Sequence, residues 1–397
     1  MGPAAKKAAL GVLVILAVVI IAAAIILHPY YAMPPESKEA LKAKLAEYQQ
    51  VASAMQNRPP AGRRALDALA NDLYGKKSEK PWSDSCPAYD LERLKKLAPQ
   101  MSTFLAFDAR FRAMVDHGLV IQQEFRPDAD LPNFSGPRWL TYWELAAAVL
   151  DLQQGHRDEA LARMHSVIRF VESLLQTPAL LYPMMGVAIE MTLDQTLVYL
   201  LPQLNPAEIE QVKGWLAGLP DARQAFVAAM KTETAAHEVT FERLRRPPPG
   251  DTFGDELIHN RTLSRTAVWL ARNTGYLRRE RYYLLSLMKR EIEAAQSWAA
   301  AGGSQAFQDP LTRQDIMHSW IARMAIPNYA KLLVHTSDDM QRRQAIIKAM
   351  DLELQRRKNG PPTFELPYDS VQHIVVKPEY GCVVKNESAP GAAPAAH

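Results

Sequence analysis

Cysteine is scarce in this chain, because its 397 residues include only Cys86 and Cys382. Neither belongs to a Cys-x-x-Cys pair, and two cysteines without paired histidines cannot supply the four ligands of a structural zinc site. In an oxidising compartment the two thiols could form a disulfide that joins the start of the main domain to its end. Two unrelated thiols are the alternative, and the sequence leaves both open.

The sequence also lacks the short motifs of common enzyme classes. It has no Gly-x-Ser-x-Gly elbow, no P-loop and no Gly-x-Gly-x-x-Gly dinucleotide motif. His237-Glu238 begins like a zinc-protease motif, but Phe241 stands where the second histidine is needed. Glu256 and His259 have the spacing of di-iron ligands, but a second copy of that pair is missing. We therefore predict no catalytic residue, no metal site and no cofactor.

The chain has little excess charge of either sign. Its 46 Lys and Arg residues against 43 Asp and Glu give a net charge of +3. A binder of DNA or RNA usually carries a pronounced basic surface, so this balance gives no electrostatic case for such a partner. We predict that the protein does not bind nucleic acid.

One local segment, residues 261–290, is nevertheless basic, with arginines among aromatic side chains. Such a composition can bind nucleic acid or anionic lipid. Apolar residues at helical spacing in the same segment favour an ordinary amphipathic helix with a basic outer face. The alternative is a basic surface facing a membrane or a partner, with Arg272, Arg278, Arg279 and Arg281 as its candidate residues.

What the sequence does contain is one long uncharged apolar run, Ala8 to Leu27. A helix of about 20 residues spans the hydrocarbon core of a bilayer. The run exceeds the core of a signal peptide, continues past the small residues at 22–24, and ends before Tyr30 and Tyr31, a typical interface pair. We predict a retained transmembrane anchor at 8–27. A cleaved signal peptide is the alternative.

Orientation follows from the flanking charges. Lys6 and Lys7 precede the run, whereas the first lysines beyond it are more distant and mixed with glutamates. The positive-inside rule then places residues 1–7 in the cytoplasm. We predict a bacterial inner-membrane protein with a single span and a periplasmic C-terminal domain. An inverted anchor with a cytoplasmic domain is the alternative.

The rest of the chain is predicted to be mostly α, with an N-terminal transmembrane helix, stacked helical hairpins in a solenoid-like array or bundle, and a small C-terminal β-hairpin. Apolar residues at three- and four-residue spacing mark helices, starting with Glu36 to Met55. Asn205-Pro206 followed by Glu208 marks another helix start. The predicted units are a helical domain at 36–246, a second helical segment at 251–358 packed on it, a β-containing element at 359–388 and a disordered tail at 389–397.

The strongest pattern is a pair of amphipathic helices, YWELAAAVLDLQQGHRDEALARMHSVIRFVESL, within 139–175. It resembles a tetratricopeptide repeat, with a turn at Gly155 and the small residue Ala160 at the helix contact. It departs from that family where an aromatic is replaced near Asp151, in the longer second helix and in the missing second copy. The resemblance implies helical hairpins that stack.

A broader resemblance covers the order of the anchor, this hairpin, the apolar segment TPALLYPMMGVAIEMTLDQTLVYLLPQL and the helix NPAEIEQVKGWLAGLP. This order is similar to that of uncharacterised, membrane-anchored helical proteins of bacteria. The later stretch ELQRRKNGPPTFELPYDS loosely resembles the C-terminal part of a pseudopilin. The resemblance implies an architecture and no catalytic residue.

Two acids interrupt the apolar segment from Pro178 to Leu201. Glu190 and Asp194 lie one helical turn apart, and each would cost about 2.5–3.5 kcal/mol at the centre of a bilayer, so we predict a buried helix of a bundle and not a second span. Buried acids are either paired with cations or line a site. We expect arginines of a neighbouring helix, with a ligand pocket as the alternative.

These features predict a scaffold or protein-interaction module at the bacterial envelope, since a helical array offers long grooves and needs no catalytic motif. The partners predicted are the membrane and an envelope protein. The rival function is a small-ligand binder or enzyme that uses an acidic pocket around Glu190 and Asp194. A further alternative is a component of a secretion or pilus machine.

Overall fold

The structure of the protein is a computed structural model. It describes residues 36–76, 91–116, 118–122, 133–245, 276–303, 307–313, 315, 329–359, 374–377 and 382–385. Within them the fold is mostly α, as predicted. The predicted anchor at 8–27, Cys86, Arg272 and the tail at 389–397 lie outside the described residues.

Five helices form the first part of the described chain: α1 (Lys38–Gln56), α2 (Ala61–Asp72), α3 (Leu91–Lys96), α4 (Ala98–Leu105) and α5 (Asp108–Asp116). Helix α1 begins at Ser37, whose hydroxyl accepts a hydrogen bond from the amide of Ala40. Its buried residues follow the predicted spacing of three and four, which confirms the interpretation of this segment; they are Leu41, Leu45, Tyr48, Ala52 and Met55.

Seven further helices follow in the described chain: α6 (Ser135–Gln153), α7 (Arg157–Leu175), α8 (Leu181–Leu200), α9 (Pro206–Ala217), α10 (Ala222–Arg245), α11 (Tyr276–Ala300) and α12 (Tyr329–Asn359). Two short strands, β1 (Ile374–Lys377) and β2 (Cys382–Lys385), pair antiparallel with Val375 opposite Val384. The residues between the two strands lie outside the described part of the chain, so the predicted hairpin connection is not described.

Helices α6 and α7 form the hairpin that the sequence predicts, with a tight turn between them. Gly155 in that turn has φ +83°, a conformation in which side chains other than glycine are strained. Ala160 is fully buried where α7 leaves the turn. At the other end of α6, Gly136 touches Leu73 so closely that an added Cβ would overlap it. Small residues therefore allow close packing at both ends of α6, against α7 at the turn and against Leu73 at its start.

Helix α8 lies at the centre of the domain and contacts α6, α7, α10 and α12. Its buried residues include Glu190 and Asp194, both fully enclosed. This confirms the prediction that the apolar segment is a core helix. No helix in the described ranges is long and apolar enough to cross a membrane.

Packing also joins helices that are distant along the chain. Helix α1 contacts both α10 and α11, and the ammonium of Lys231 on α10 lies 2.9 Å from the carboxylate of Glu47 on α1. In a regular solenoid each repeat contacts only its neighbours. The described helices therefore pack as a bundle around α8, with the first helix closing against later ones.

Helix α9 begins as its sequence predicts, with a capping box. The Asn205 side chain accepts a hydrogen bond from the amide of Glu208, and the Glu208 carboxylate accepts one from the amide of Asn205 at 2.7 Å. The same carboxylate accepts a hydrogen bond from Arg157 at 2.6 Å. One glutamate thus caps α9 and holds the start of α7 against it.

Candidate functional site

The most unusual polar group of the domain is a cluster of three carboxylates at the contact of α8 and α12. Glu190 and Asp194 come from α8 and Asp339 comes from α12, and one oxygen of each lies within 4.8 Å of the others. All three side chains have no exposed surface. We call these three residues the acidic cluster.

Arg343 of α12 neutralises one member of the acidic cluster. Its guanidinium donates two hydrogen bonds to Glu190, one of them from Nη2 to Oε2 at 2.6 Å. Nη1 also donates to the carbonyl oxygens of Pro220 at 3.0 Å and Leu219 at 3.3 Å. Because four acceptors hold it, Arg343 is a fixed part of the core, and Glu190 is fully paired.

Arg342 makes longer contacts with the other two carboxylates than Arg343 makes with Glu190. Its Nη2 lies 3.4 Å from Oδ1 of Asp339, and its Nε lies 3.8 Å from Oδ2 of Asp194, beyond hydrogen-bond distance. Within the described residues, both oxygens of Asp194 and Oδ2 of Asp339 are buried without a hydrogen-bond partner. The Arg342 side chain is 17% exposed and so reaches the cluster from the surface.

Burial and like charge together disfavour ionisation of the two aspartates. Loss of solvation is the main cause that raises the pKa of Asp194 well above its usual range, and the Glu190 charge adds to it. The same two causes raise the pKa of Asp339 to about 9. With all groups ionised, three carboxylates face two guanidiniums, which leaves one negative charge without compensation.

Part of this arrangement was predictable from the sequence. Glu190 pairs with Arg343 of the neighbouring helix α12, as expected. Asp194 lies 3.8 Å from Arg342 of the same helix but accepts no hydrogen bond within the described residues. Sequence reasoning missed Asp339 and Arg343. Their only local signal is an aspartate followed three and four residues later by arginines on a predicted helix, a spacing that places them on one face.

Three of the four candidate basic residues, Arg278, Arg279 and Arg281, are described, and these three do not share one exposed face. Arg278 is exposed, but Arg279 is buried, with its guanidinium over the ring of Tyr283 at 4.7 Å. Arg281 donates to Glu238 at 2.8 Å and to Glu242 at 2.9 Å. Adjacent residues of a helix point about 100° apart, so Arg279 faces the core while Arg278 faces solvent.

A second polar group lies in the hairpin of α6 and α7. Arg163 lies 2.7 Å from the carboxylate of Glu144, 2.8 Å from Asp151 and 3.2 Å from Asp108. Glu144 is fully buried, and burial is the main cause that raises its pKa to about 7. Asp151, which departs from the tetratricopeptide pattern, is thus an ion-pair partner of the second helix.

A third polar group surrounds Tyr329 at the start of α12. Loss of solvation is the main cause that raises the pKa of Glu291 to about 8, and the nearby Asp309 adds to it. Burial also raises the pKa of Tyr329, with Glu233 and Glu291 as further causes. Within the described residues, the hydroxyl of Tyr329 and Oε2 of Glu291 are buried without a hydrogen-bond partner.

The proposed disulfide stays a prediction. Cys382 lies in β2, but Cys86 lies outside the described residues, so no distance joins them.

Comparison with protein-family models, with curated proteins and with solved structures finds no match to this chain. The site is therefore interpreted from its own geometry.

Proposed function

We propose that the chain is a single-pass protein of the bacterial inner membrane whose helical domain lies in the periplasm and binds a protein partner of the envelope. The support for the location comes from the sequence: the apolar run from Ala8 to Leu27, the lysines before it and the tyrosines after it. The support for partner binding comes from a surface of α8.

That surface carries two methionines on a helix that is otherwise largely buried. Met184 is 37% exposed and Met191 is 38% exposed, and residues seven apart in an α-helix lie on the same face, two turns apart. Val187 and Ala188 lie half-buried between them. We call these four residues the methionine face.

An apolar strip of this kind suits a partner helix. Methionine side chains are flexible and polarizable, so they adapt to the shape of the apolar surface laid against them. An amphipathic helix buries its apolar stripe in such contacts through positions spaced by three and four residues. Isolated exposed apolar residues are common on soluble proteins, but two on one face of a central helix form a continuous contact line. The methionine face is the observation that carries the proposal.

Site-specific photo-cross-linking in intact cells tests this proposal. A photoreactive residue replaces Met184, and the same residue replaces the exposed Glu210 of α9 as a control position. We expect a discrete adduct of defined mass from position 184 and none from position 210. The adduct should disappear when Met191→Lys is added and should persist when Glu210→Lys is added instead. Equal adducts at both positions, or an adduct that survives Met191→Lys, would contradict the proposal.

The rival function, a small-ligand binder or enzyme that uses Glu190 and Asp194, is favoured by one observation. The fully buried Asp194 has two carboxylate oxygens without a hydrogen-bond partner within the described residues. A role in a secretion or pilus machine stays a prediction from sequence, since most of the pseudopilin-like stretch lies outside those residues.

A further inference from the structure

The acidic cluster presents three oxygens that lack any partner within the described residues: Oδ1 and Oδ2 of Asp194 and Oδ2 of Asp339. Native proteins pair nearly all of their buried polar atoms. Asp194 is fully buried, and one of its oxygens lies within 4.8 Å of an oxygen of Glu190 and an oxygen of Asp339. A group that accepts lone pairs from several oxygens at once satisfies all three atoms, and a cation is such a group.

The net charge of the acidic cluster and Arg343 matches the charge of a divalent cation. Carboxylates bind a cation in their ionised form, so a bound ion displaces the protons that burial favours on Asp194 and Asp339. The three ionised carboxylates of Glu190, Asp194 and Asp339 then carry three negative charges, and the fixed guanidinium of Arg343 supplies one positive charge. Two positive charges then bring the site to neutrality if Arg342 turns away. Arg342 can leave, because its side chain is partly exposed and its contacts with Asp194 and Asp339 are long. Arg342 and a divalent ion therefore compete for the same carboxylates.

The chemical type of the ligands selects the class of ion. Only carboxylate oxygens are present in the acidic cluster, and these suit Ca²⁺, Mg²⁺ or Mn²⁺ better than Zn²⁺ or Cu²⁺. The cluster oxygens lie within 4.8 Å of one another, so all three can contact one Ca²⁺ at its usual calcium–oxygen distance of about 2.3–2.6 Å. Mg²⁺ retains several waters, for which three fully buried side chains leave little room.

We propose that Glu190, Asp194 and Asp339 form a Ca²⁺ site between α8 and α12, and that Arg342 takes the place of the ion in the ion-free protein. Arg343 orients Glu190 from behind and keeps the site at neutral charge. An ion held there links the central helix to α12 through both of its acids. Calcium binding and partner binding at the methionine face are independent, so either can fail without the other.

Calcium titration of the detergent-purified full chain, after removal of metal with a chelator, tests the proposal. Isothermal calorimetry and the thermal unfolding midpoint are measured with CaCl₂ and, at equal ionic strength, with MgCl₂ as the control. We expect one saturable Ca²⁺ site with a Kd near the range of about 10⁻⁴–10⁻³ M seen in extracellular modules, and an unfolding midpoint that rises with Ca²⁺. Mg²⁺ should raise the midpoint less.

Three variants assign the ion to the acidic cluster. Asp194→Asn and Asp339→Asn keep the side-chain shape and should weaken Ca²⁺ binding at least about tenfold. After removal of metal with the chelator, each variant should keep the helical circular dichroism of the wild type. Arg342→Gln removes the competing charge and should tighten binding. Asp351→Asn on the same helix, whose carboxylate pairs with Lys213 at the surface, should leave the Kd unchanged.

Two results would overturn the assignment. One is the lack of saturable Ca²⁺ binding up to about 10 mM in both the wild type and Arg342→Gln, well above the range of known extracellular sites. The other is Ca²⁺ binding that Asp194→Asn and Asp339→Asn leave unchanged, since the ion would then lie elsewhere.

Discussion

The ion pairs of Arg163 allow a quantitative prediction about the hairpin of α6 and α7. Replacing Arg163 with methionine keeps an unbranched apolar stem but removes the guanidinium and its charge. The fully buried carboxylate of Glu144, 2.7 Å away, then loses its cationic partner, and Asp151 loses its contact with Arg163 at 2.8 Å. Asp108 loses its contact with Arg163 at 3.2 Å but keeps its ion pair with Arg112. Arg163→Met therefore tests whether charge pairing holds α7 against α6.

The magnitude follows from the distance and the burial. Two charges 2.7 Å apart attract by about 6 kcal/mol at an effective dielectric constant of about 20, before the cost of desolvation. Removing one partner of a buried pair typically costs about 3–5 kcal/mol, because the remaining charge stays buried. We expect Arg163→Met to lower the free energy of unfolding by this amount at pH 8.

The loss should depend on pH in a defined direction. In the wild type, burial raises the pKa of Glu144 from 4.5 to about 7. A raised pKa means that the stability contributed by this group is fully present below pH 4.5 and is lost as the pH rises through about 7. Without Arg163 the pKa rises further, so Glu144 becomes protonated more readily. The destabilisation by Arg163→Met should therefore be smaller at pH 5.5 than at pH 8.

Urea unfolding of the full chain, followed by circular dichroism at both pH values, measures these changes. Arg169→Met is the matched control, since Arg169 lies on the same helix and pairs with Glu172 in a partly exposed ion pair expected to contribute at most about 1 kcal/mol. Adding Glu144→Gln to Arg163→Met should recover part of the loss. The reasoning is refuted if Arg163→Met and Arg169→Met lower the unfolding free energy equally.

Other predictions concern burial, packing and capping. Burial and Asp309 raise the pKa of Glu291 to about 8, so the wild type loses free energy of unfolding as the pH rises from 6 to 9. Glu291→Gln removes this titrating group. Urea unfolding should therefore show a loss over the same pH range that is about 2–3 kcal/mol smaller in Glu291→Gln than in the wild type. Gly136→Ala places a methyl group against the Cβ of Leu73 and should lower the free energy of unfolding by about 1–3 kcal/mol. An unchanged midpoint of urea unfolding would show that the start of α6 can move away from Leu73 without cost. Asn205→Ala removes the cap of α9 and should cost about 1 kcal/mol, whereas Asn205→Asp should keep most of the stability.

Local features of the fold could be predicted because local physics determines them. The spacing of apolar residues in α1 follows the helical period, and the buried residues are those that the period selects, from Leu41 to Met55. The cap of α9 needs only Asn205 and Glu208, three residues apart. Glu190 and Asp194 indicated a core helix because acids are costly in lipid but can be paired in a protein core.

Features that depend on distant partners could not be predicted in the same way. Glu190 and Arg343 are 153 residues apart, and nothing in either local sequence specifies the partner. Arg279 and Arg278 have the same charge and adjacent positions, yet the first is buried and the second is exposed in the folded domain. Likewise, the acidic cluster exists only because α12 packs against α8, which brings Asp339 to the two acids of the central helix.

The proposed location of the helical domain is the claim on which the envelope function depends, and a topology measurement tests it most directly. Two reporters are fused in turn after Asn359, one active only outside the cytoplasm and one active only inside it, and the fusions are produced in a Gram-negative host. We predict activity of the first reporter in the membrane fraction, and its loss when residues 8–27 are deleted. Activity of the cytoplasmic reporter alone would contradict a periplasmic domain.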